Sequence, residues 1–171
     1  MSIADALGYE VMSPNLVQRA MRRVASTRMG ARVLSSTMRH IDDVVQRASG
    51  GRTTSAAIIA GLAVLDVTTT GRRSGQPRTS HLVAVPYDGA LAVLGTNFGG
   101  ASTPAWVHNV KADPHVTVTY RGTTVAAIAR PATPEEQAGV LAASEGVYLG
   151  YRKYQERITG RTLRIFLLQL P

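Results

Sequence analysis

The spacing of hydrophobic and polar residues changes near residue 57. Before it, Val17, Met21, Val24 and Met29 recur at a helical period, after a start signal at Ser13-Pro14. After it, short apolar and β-branched runs alternate with tight-turn residues, which predicts strands. The predicted strands are Leu62–Thr69, Thr79–Tyr87, Ala90–Gly95, His115–Tyr120, Thr123–Arg130 and Thr162–Leu170. We therefore expect a basic amphipathic helical segment and connection over residues 1–56, and one barrel domain over residues 57–171.

Helix signals lie between the later strands. The predicted helices are Ala105–Lys111, Pro134–Ser144 and Tyr148–Ile158. We expect Thr103 or Ser102 to cap the first helix, and Thr133 with Glu136 to form a capping box on the second.

Tight turns join the predicted strands. Asp88-Gly89 is a strong hairpin signal, and Arg121-Gly122 separates two further strands. Short strands joined in this way favour an α+β fold built on a small antiparallel barrel over a parallel doubly wound sheet.

Composition narrows the choice of partners. The chain has 171 residues, a net charge of +8 and no cysteine, so anionic partners are favoured and a disulfide framework is excluded. With two Phe and one Trp, the sequence offers few stacking platforms, and we expect no nucleic acid partner. The start of the chain does not resemble a signal peptide, which predicts a cytoplasmic protein.

The predicted N-terminal helix is strongly basic. No acidic residue stands between Val11 and Ile41. Residues 14–40 could therefore lie on an anionic membrane, at the inner face of the cell membrane. The alternative is a helix packed on the domain with a solvated basic face.

A stretch rich in arginine, residues 68–78, separates the first two predicted strands and is called here the arginine loop. Arg72, Arg73 and Arg78 can pair with phosphate or carboxylate groups. Gly71 and Gly75 would allow anion-binding nests of backbone amides. The alternative is an ordinary charged hairpin turn.

A second stretch, residues 96–103, is called the glycine loop. Asn97, Gly99 and Gly100 offer further amides, and Pro104 opens a helix whose N-terminus attracts anions. The two loops could converge on one ligand, although an ordinary strand-to-helix turn would show the same residues.

Three tyrosines, Tyr148, Tyr151 and Tyr154, share one helical face and are called the tyrosine cluster. They could wall an apolar site with hydroxyl donors, or simply cover the barrel. His108 could be a general acid but is more simply structural. No catalytic triad and no metal cluster stands out, so an enzyme of this sequence would borrow its reactive group from a cofactor.

Three ordered motifs resemble the deazaflavin-dependent nitroreductase family. They are the arginine loop, the run Thr103–Val110 followed by Asp113-Pro114, and the tyrosine cluster followed by Gly160-Arg161-Thr162. The resemblance covers about residues 60–171, and it implies a mostly antiparallel split β-barrel of the FMN-binding type with an N-terminal helical extension.

The resemblance also implies a cofactor and a reaction. The cofactor would be coenzyme F420, with FMN less favoured, and the reaction a hydride transfer to a quinone, an activated lactone or a nitroaromatic compound. The implied cofactor-binding residues are Arg72, Arg73, Ser74, Gly75, Gln76, Pro77, Arg78, Thr96, Asn97, Phe98, Gly99, Gly100, Trp106 and Asn109. The implied catalytic residues are Thr96, Tyr148, Tyr151 and Tyr154. A non-enzymatic lipid or cofactor carrier is the other interpretation.

Some positions depart from the family pattern. His81 stands where some members have proline, and Val83 where a quinone-reducing member has an aromatic residue. The Asn97-Phe98 pair replaces a basic residue of the second loop. We therefore expect the coenzyme to carry over, but not the acceptor preference.

Overall fold

The computed structural model describes residues 1–11, 61–148 and 150–171, with single positions 16, 18 and 27. The predicted connection up to residue 56 and all but these three positions of the predicted basic helix lie outside the described residues.

The described chain forms a closed antiparallel barrel. The strands are β1 (Val64–Thr70), β2 (Pro77–Tyr87), β3 (Ala90–Leu94), β4 (His115–Tyr120), β5 (Thr123–Pro131) and β6 (Ile165–Gln169). Around the barrel their order is β1-β2-β3-β6-β5-β4, with β4 returning to β1 and every neighbouring pair antiparallel. This confirms the α+β barrel fold.

The predicted hairpins are confirmed. Asp88 and Gly89 both have positive φ, at 46° and 72°, as do Arg121 and Gly122, at 48° and 89°. Two consecutive residues of this kind give a turn whose twist matches that of the flanking strands.

Four α-helices accompany the barrel in the described part of the chain, besides a short 3₁₀ helix at Asn97–Gly99. They are α1 (Ile3–Leu7), α2 (Ala105–Ala112), α3 (Pro134–Val147) and α4 (Gly150–Arg157). The capping box of α3 is confirmed, because the Thr133 hydroxyl accepts from the Glu136 amide and the Glu136 carboxylate accepts from the Thr133 amide.

The predicted cap of α2 is wrong. Pro104 is the cap residue, with an extended backbone and no side-chain capping bond. The helix thus begins too late for the Thr103 or Ser102 hydroxyl to cap it. Ser102 instead accepts hydrogen bonds from the Asn97 side chain.

Helices close both ends of the barrel. Trp106, Val107 and Val110 of α2 join the core inside one end. At the other end α1 and Tyr9 pack into the core, and the Tyr9 hydroxyl lies 2.8 Å from the Ala84 carbonyl oxygen. The sequence patterns did not predict α1.

A second apolar cluster lies on the outside of the barrel. Side chains of α3 and α4 pack there against the outer faces of β2, β3 and β6. This layer holds the tyrosine cluster beside β2.

Candidate functional site

The arginine loop and the glycine loop lie at the same end of the barrel. Val67 of β1 pairs with Ser80 of β2, and Ala84 of β2 pairs with Val93 of β3. Since these neighbours are antiparallel, β1 ends, β2 begins and β3 ends at one rim. The helix α2 follows the glycine loop and closes the same rim.

The turn of the arginine loop is closed by its own backbone. The Gly71 amide donates to the Gln76 carbonyl (2.8 Å), and the amides of Ser74 and Gly75 both donate to the Gly71 carbonyl. The Gln76 amide donates to the Ser74 hydroxyl, and Gly75 has the positive φ (66°) that the turn requires. These amides are already used, so the expectation of an amide nest at the two glycines is wrong.

The charged side chains of the loop are left for binding. Arg72, Arg73 and Arg78 are all exposed. Among the described residues, none of the three guanidinium groups pairs with a carboxylate. Three exposed cations on a rigid turn fit an acidic ligand that contacts side chains rather than amides.

A buried asparagine of α2 fixes this turn. The Asn109 amide nitrogen donates to the Thr69 hydroxyl (2.9 Å), and its carbonyl oxygen accepts from the Arg72 amide (3.1 Å). The Thr69 hydroxyl in turn donates to the Arg78 carbonyl (3.2 Å). Asn109 therefore sets the position of the loop from behind, through both of its strands.

The glycine loop is held by an arginine that sequence analysis assigned no role. The Arg161 guanidinium donates to the carbonyl oxygens of Gly100 (3.0 Å), Gly95 (3.0 Å) and Thr96 (2.7 Å). Burial lowers the pKa of Arg161 from its ordinary value. Its place in a tail motif of the family was a signal, but only the fold brings it to this loop.

The tyrosine cluster is buried, and its hydroxyl groups have partners. The Tyr148 and Tyr154 hydroxyls lie 3.1 Å apart, and the Tyr151 hydroxyl donates to the Val83 carbonyl (2.8 Å). Burial raises the pKa of both Tyr151 and Tyr154, so these side chains stay protonated at neutral pH. Since the Tyr151 hydroxyl donates to Val83, Tyr154 is the one of these two that can act as a neutral hydrogen-bond donor toward a ligand.

One residue pair lies between the arginine loop and the tyrosine cluster, on the outer face of the β1–β2 ribbon. Asp66 and His81 are cross-strand partners, with Oδ1 and Nδ1 2.6 Å apart. The next pair on that face, Val64 and Val83, packs against the tyrosine cluster. From Val64 to the arginine loop the ribbon spans about 20 Å, at roughly 3.3 Å per residue.

Comparison with known proteins decides the family. The profile of the F420H(2)-dependent quinone reductase family matches residues 37–169. The chain belongs to this family. One relative, an F420H(2)-dependent quinone reductase of Mycobacterium tuberculosis, is 31% identical over 68 residues, which are 40% of this chain and 46% of that protein. The alignment thus spans about half the length of the curated relatives it matches.

Two solved structures are similar to the fold of this chain. A structure described as an F420-H2 dependent reductase is 30% identical with a TM-score of 0.56, covering 62% of this chain and 93% of the other. A second, described as a domain-swapped dimer, is 27% identical with a TM-score of 0.58, covering 74% and 94%. The split β-barrel implied by the resemblance is thereby confirmed.

The remaining residues implied by the family resemblance are placed as follows. Trp106 is buried in the core against Phe166, which gives no support to a cofactor contact. Pro77 begins β2 beside the arginine loop, and Thr96 is buried at the start of the glycine loop, without a side-chain capping bond.

Among the described helices, none combines the length and apolar character that crossing a membrane requires.

Proposed function

We propose that this protein reduces quinones with coenzyme F420 in its reduced form. The observation that carries the proposal is a set of three exposed guanidinium groups that have no carboxylate partner among the described residues, on a turn that Asn109 holds in place. Membership of the F420H(2)-dependent quinone reductase family supports the choice of coenzyme and acceptor.

The residues at the barrel rim fit an elongated ligand with one acidic end. Arg72, Arg73 and Arg78 would hold the phosphate and acidic tail of the coenzyme by charge-assisted hydrogen bonds. The tyrosine cluster, about 20 Å from the arginine loop along the β1–β2 ribbon, would lie at its ring system, which the glycine loop would border. This separation assigns anchorage to the first loop and leaves the reacting end near α4.

The bound coenzyme would supply the hydride. Reduction of a quinone also needs a proton, and the negative charge that develops on the acceptor oxygen needs a donor. The Tyr154 hydroxyl, paired with Tyr148, is the donor that we assign, with the Thr96 hydroxyl as a second candidate. The Tyr151 hydroxyl is committed to Val83, so its role in the proposal is to position α4.

Titration with coenzyme F420 tests the binding step. We expect the purified protein to quench or shift the deazaflavin fluorescence at micromolar coenzyme. In the double variant Arg72→Ala/Arg78→Ala, affinity at low salt falls roughly tenfold to hundredfold, as for lost charge-assisted bonds. The difference shrinks as salt is added, because exposed charges are screened.

A control and two contrary results complete the test. Arg121→Gln removes one positive charge at the opposite barrel end, in the β4–β5 turn, and should leave affinity unchanged. Tight binding of FMN with none of F420 would overturn the coenzyme assignment. Binding of coenzyme without oxidation by menadione would overturn the reductase and favour a carrier.

We also propose that residues 14–40 contact an anionic membrane. The support is the sequence alone, since these residues carry many arginines and no acidic residue. Co-sedimentation with phosphatidylglycerol vesicles should fall on deletion of residues 12–40 and at high salt. Equal sedimentation of both proteins would contradict the proposal.

A further inference from the structure

The glycine loop contains three consecutive residues with left-handed backbone. The φ angles of Asn97, Phe98 and Gly99 are 46°, 55° and 79°. Glycine adopts this conformation freely and asparagine tolerates it, but a bulky residue such as phenylalanine is strained there. Strain of this kind persists only where the surroundings impose it, and it concentrates at functional sites.

The surroundings of the loop do impose the turn. Arg161 donates to the carbonyl groups on both sides of it, those of Thr96 and Gly100. The Asn97 side chain donates to Ser102. At Gly99 there is no room for a side chain, because a Cβ would lie 2.9 Å from the Cβ of Arg157.

The turn presents an aromatic ring to solvent. Phe98 is 38% exposed, one of the few exposed large hydrophobic residues in the described chain. Its ring stands edge-on to that of Tyr154, with centroids 5.9 Å apart at 72°. Backbone strain destabilises the free protein, and the exposed part of the ring gains nothing from burial.

We propose that Phe98 selects the acceptor, by stacking its exposed ring on a planar, aromatic hydride acceptor beside Tyr154. Arg161 is the positioning residue that holds the ring there. The inference rests on the proposed function, and it assigns Phe98 to acceptor binding instead of coenzyme binding. The ring faces Tyr154 of α4, on the tyrosine side of the glycine loop.

The first measurement concerns the protein without ligand. Phe98→Gly removes both the strain and the exposed ring, so the Tm of the free protein should rise. Phe98→Leu keeps a bulky side chain at the same positive φ, so its Tm should stay at or below the wild-type value. A lower Tm for Phe98→Gly than for wild type would mean that the ring stabilises the fold, and would overturn the inference.

The second measurement compares two acceptors. For bicyclic menadione, the KM of Phe98→Gly and Phe98→Leu should rise about fivefold, the loss expected for one aromatic contact. For single-ring 2,3-dimethyl-1,4-benzoquinone the rise in KM should be smaller. With either quinone, kcat should change little in both variants. Equal increases for the two quinones, or a weaker affinity for F420 in place of the KM effect, would overturn the assignment.

Arg161 is tested by the same ratio of KM values. Arg161→Lys keeps the charge but cannot reach three carbonyl groups, so its preference for menadione should fall toward that of Phe98→Gly. In the Phe98→Gly background the same change should no longer alter the ratio. An unchanged preference in Arg161→Lys would refute the positioning role.

Failure of the proposed function would be visible separately. If wild-type protein does not bind F420, the reductase proposal fails. Saturation-transfer NMR of menadione with the wild-type and Phe98→Gly proteins then tests the contact between menadione and the Phe98 ring without coenzyme. Loss of transfer in the variant supports the contact, and equal transfer overturns it.

Discussion

Asn109 and Thr69 form a buried hydrogen bond of 2.9 Å that ties α2 to the end of β1. The same asparagine accepts from the Arg72 amide. One side chain thus connects the helix that closes the barrel to the loop that carries the charged residues.

Replacing Asn109 with alanine should loosen the arginine loop. The variant leaves the Arg72 amide and the Thr69 hydroxyl without this partner, so we expect the free energy of unfolding to fall by about 1–3 kcal/mol. Affinity for F420 should fall as well. Urea denaturation and the fluorescence titration measure the two effects.

A double-mutant cycle with Thr69→Val isolates the bond. Valine keeps the branched shape and removes the hydroxyl. The loss of unfolding free energy in the double variant should be smaller than the sum of the losses in the two single variants. Strict additivity would show that the two residues act independently.

The tyrosine hydroxyls should separate into a structural one and a chemical one. Tyr151→Phe removes the bond to the Val83 carbonyl, so the free energy of unfolding should fall by about 0.5–1.5 kcal/mol, with kcat nearly unchanged. Tyr154→Phe should lower kcat at least about tenfold if its hydroxyl supplies the proton. A large kcat loss in Tyr151→Phe, with none in Tyr154→Phe, would reverse the assignment.

Gly150→Ala should disturb the tyrosine cluster directly. A Cβ at this position would overlap the ring of Tyr148, which must then move away from Tyr154. We expect a lower Tm in thermal unfolding and a lower reductase activity. Gly146→Ala in α3 is the matched control, because its Cβ meets open space and the helix gains up to about 1 kcal/mol from alanine.

Glu136 should make the fold sensitive to acid. The Arg130 guanidinium and then the Thr133 amide lower the pKa of Glu136 from 4.5 to about 2. A depressed pKa contributes stability that is fully present above pH 4.5 and is lost as the pH falls toward about 2. Glu136→Gln should therefore be less stable than wild type at neutral pH and show a flatter stability curve across that window.

The same substitution at Glu10, an exposed residue, controls for the change in net charge. Urea unfolding at several pH values gives both curves. Parallel curves for wild type and Glu136→Gln would show that this ion pair adds nothing to stability.

Local patterns determined most of the barrel. Strand alternation and the paired turn residues Asp88-Gly89 and Arg121-Gly122 depend on neighbours in sequence, so they could be read directly. The capping box at Thr133 and Glu136 is equally local. The α2 cap was misplaced because Ser102 bonds to Asn97 within the loop, a competition that spacing does not reveal.

The sequence by itself determined the composition of the site, namely the arginine loop, the glycine loop and the tyrosine cluster. Tertiary structure decided what each group is available to do. Asn109 is 40 residues from Thr69, Arg161 is 65 from Thr96, and Tyr151 is 68 from Val83. Closure of the barrel brings these pairs together. The resulting hydrogen bonds occupy the Tyr151 hydroxyl and the carbonyl groups of the glycine loop. The side chains of the arginine loop and the Phe98 ring remain exposed.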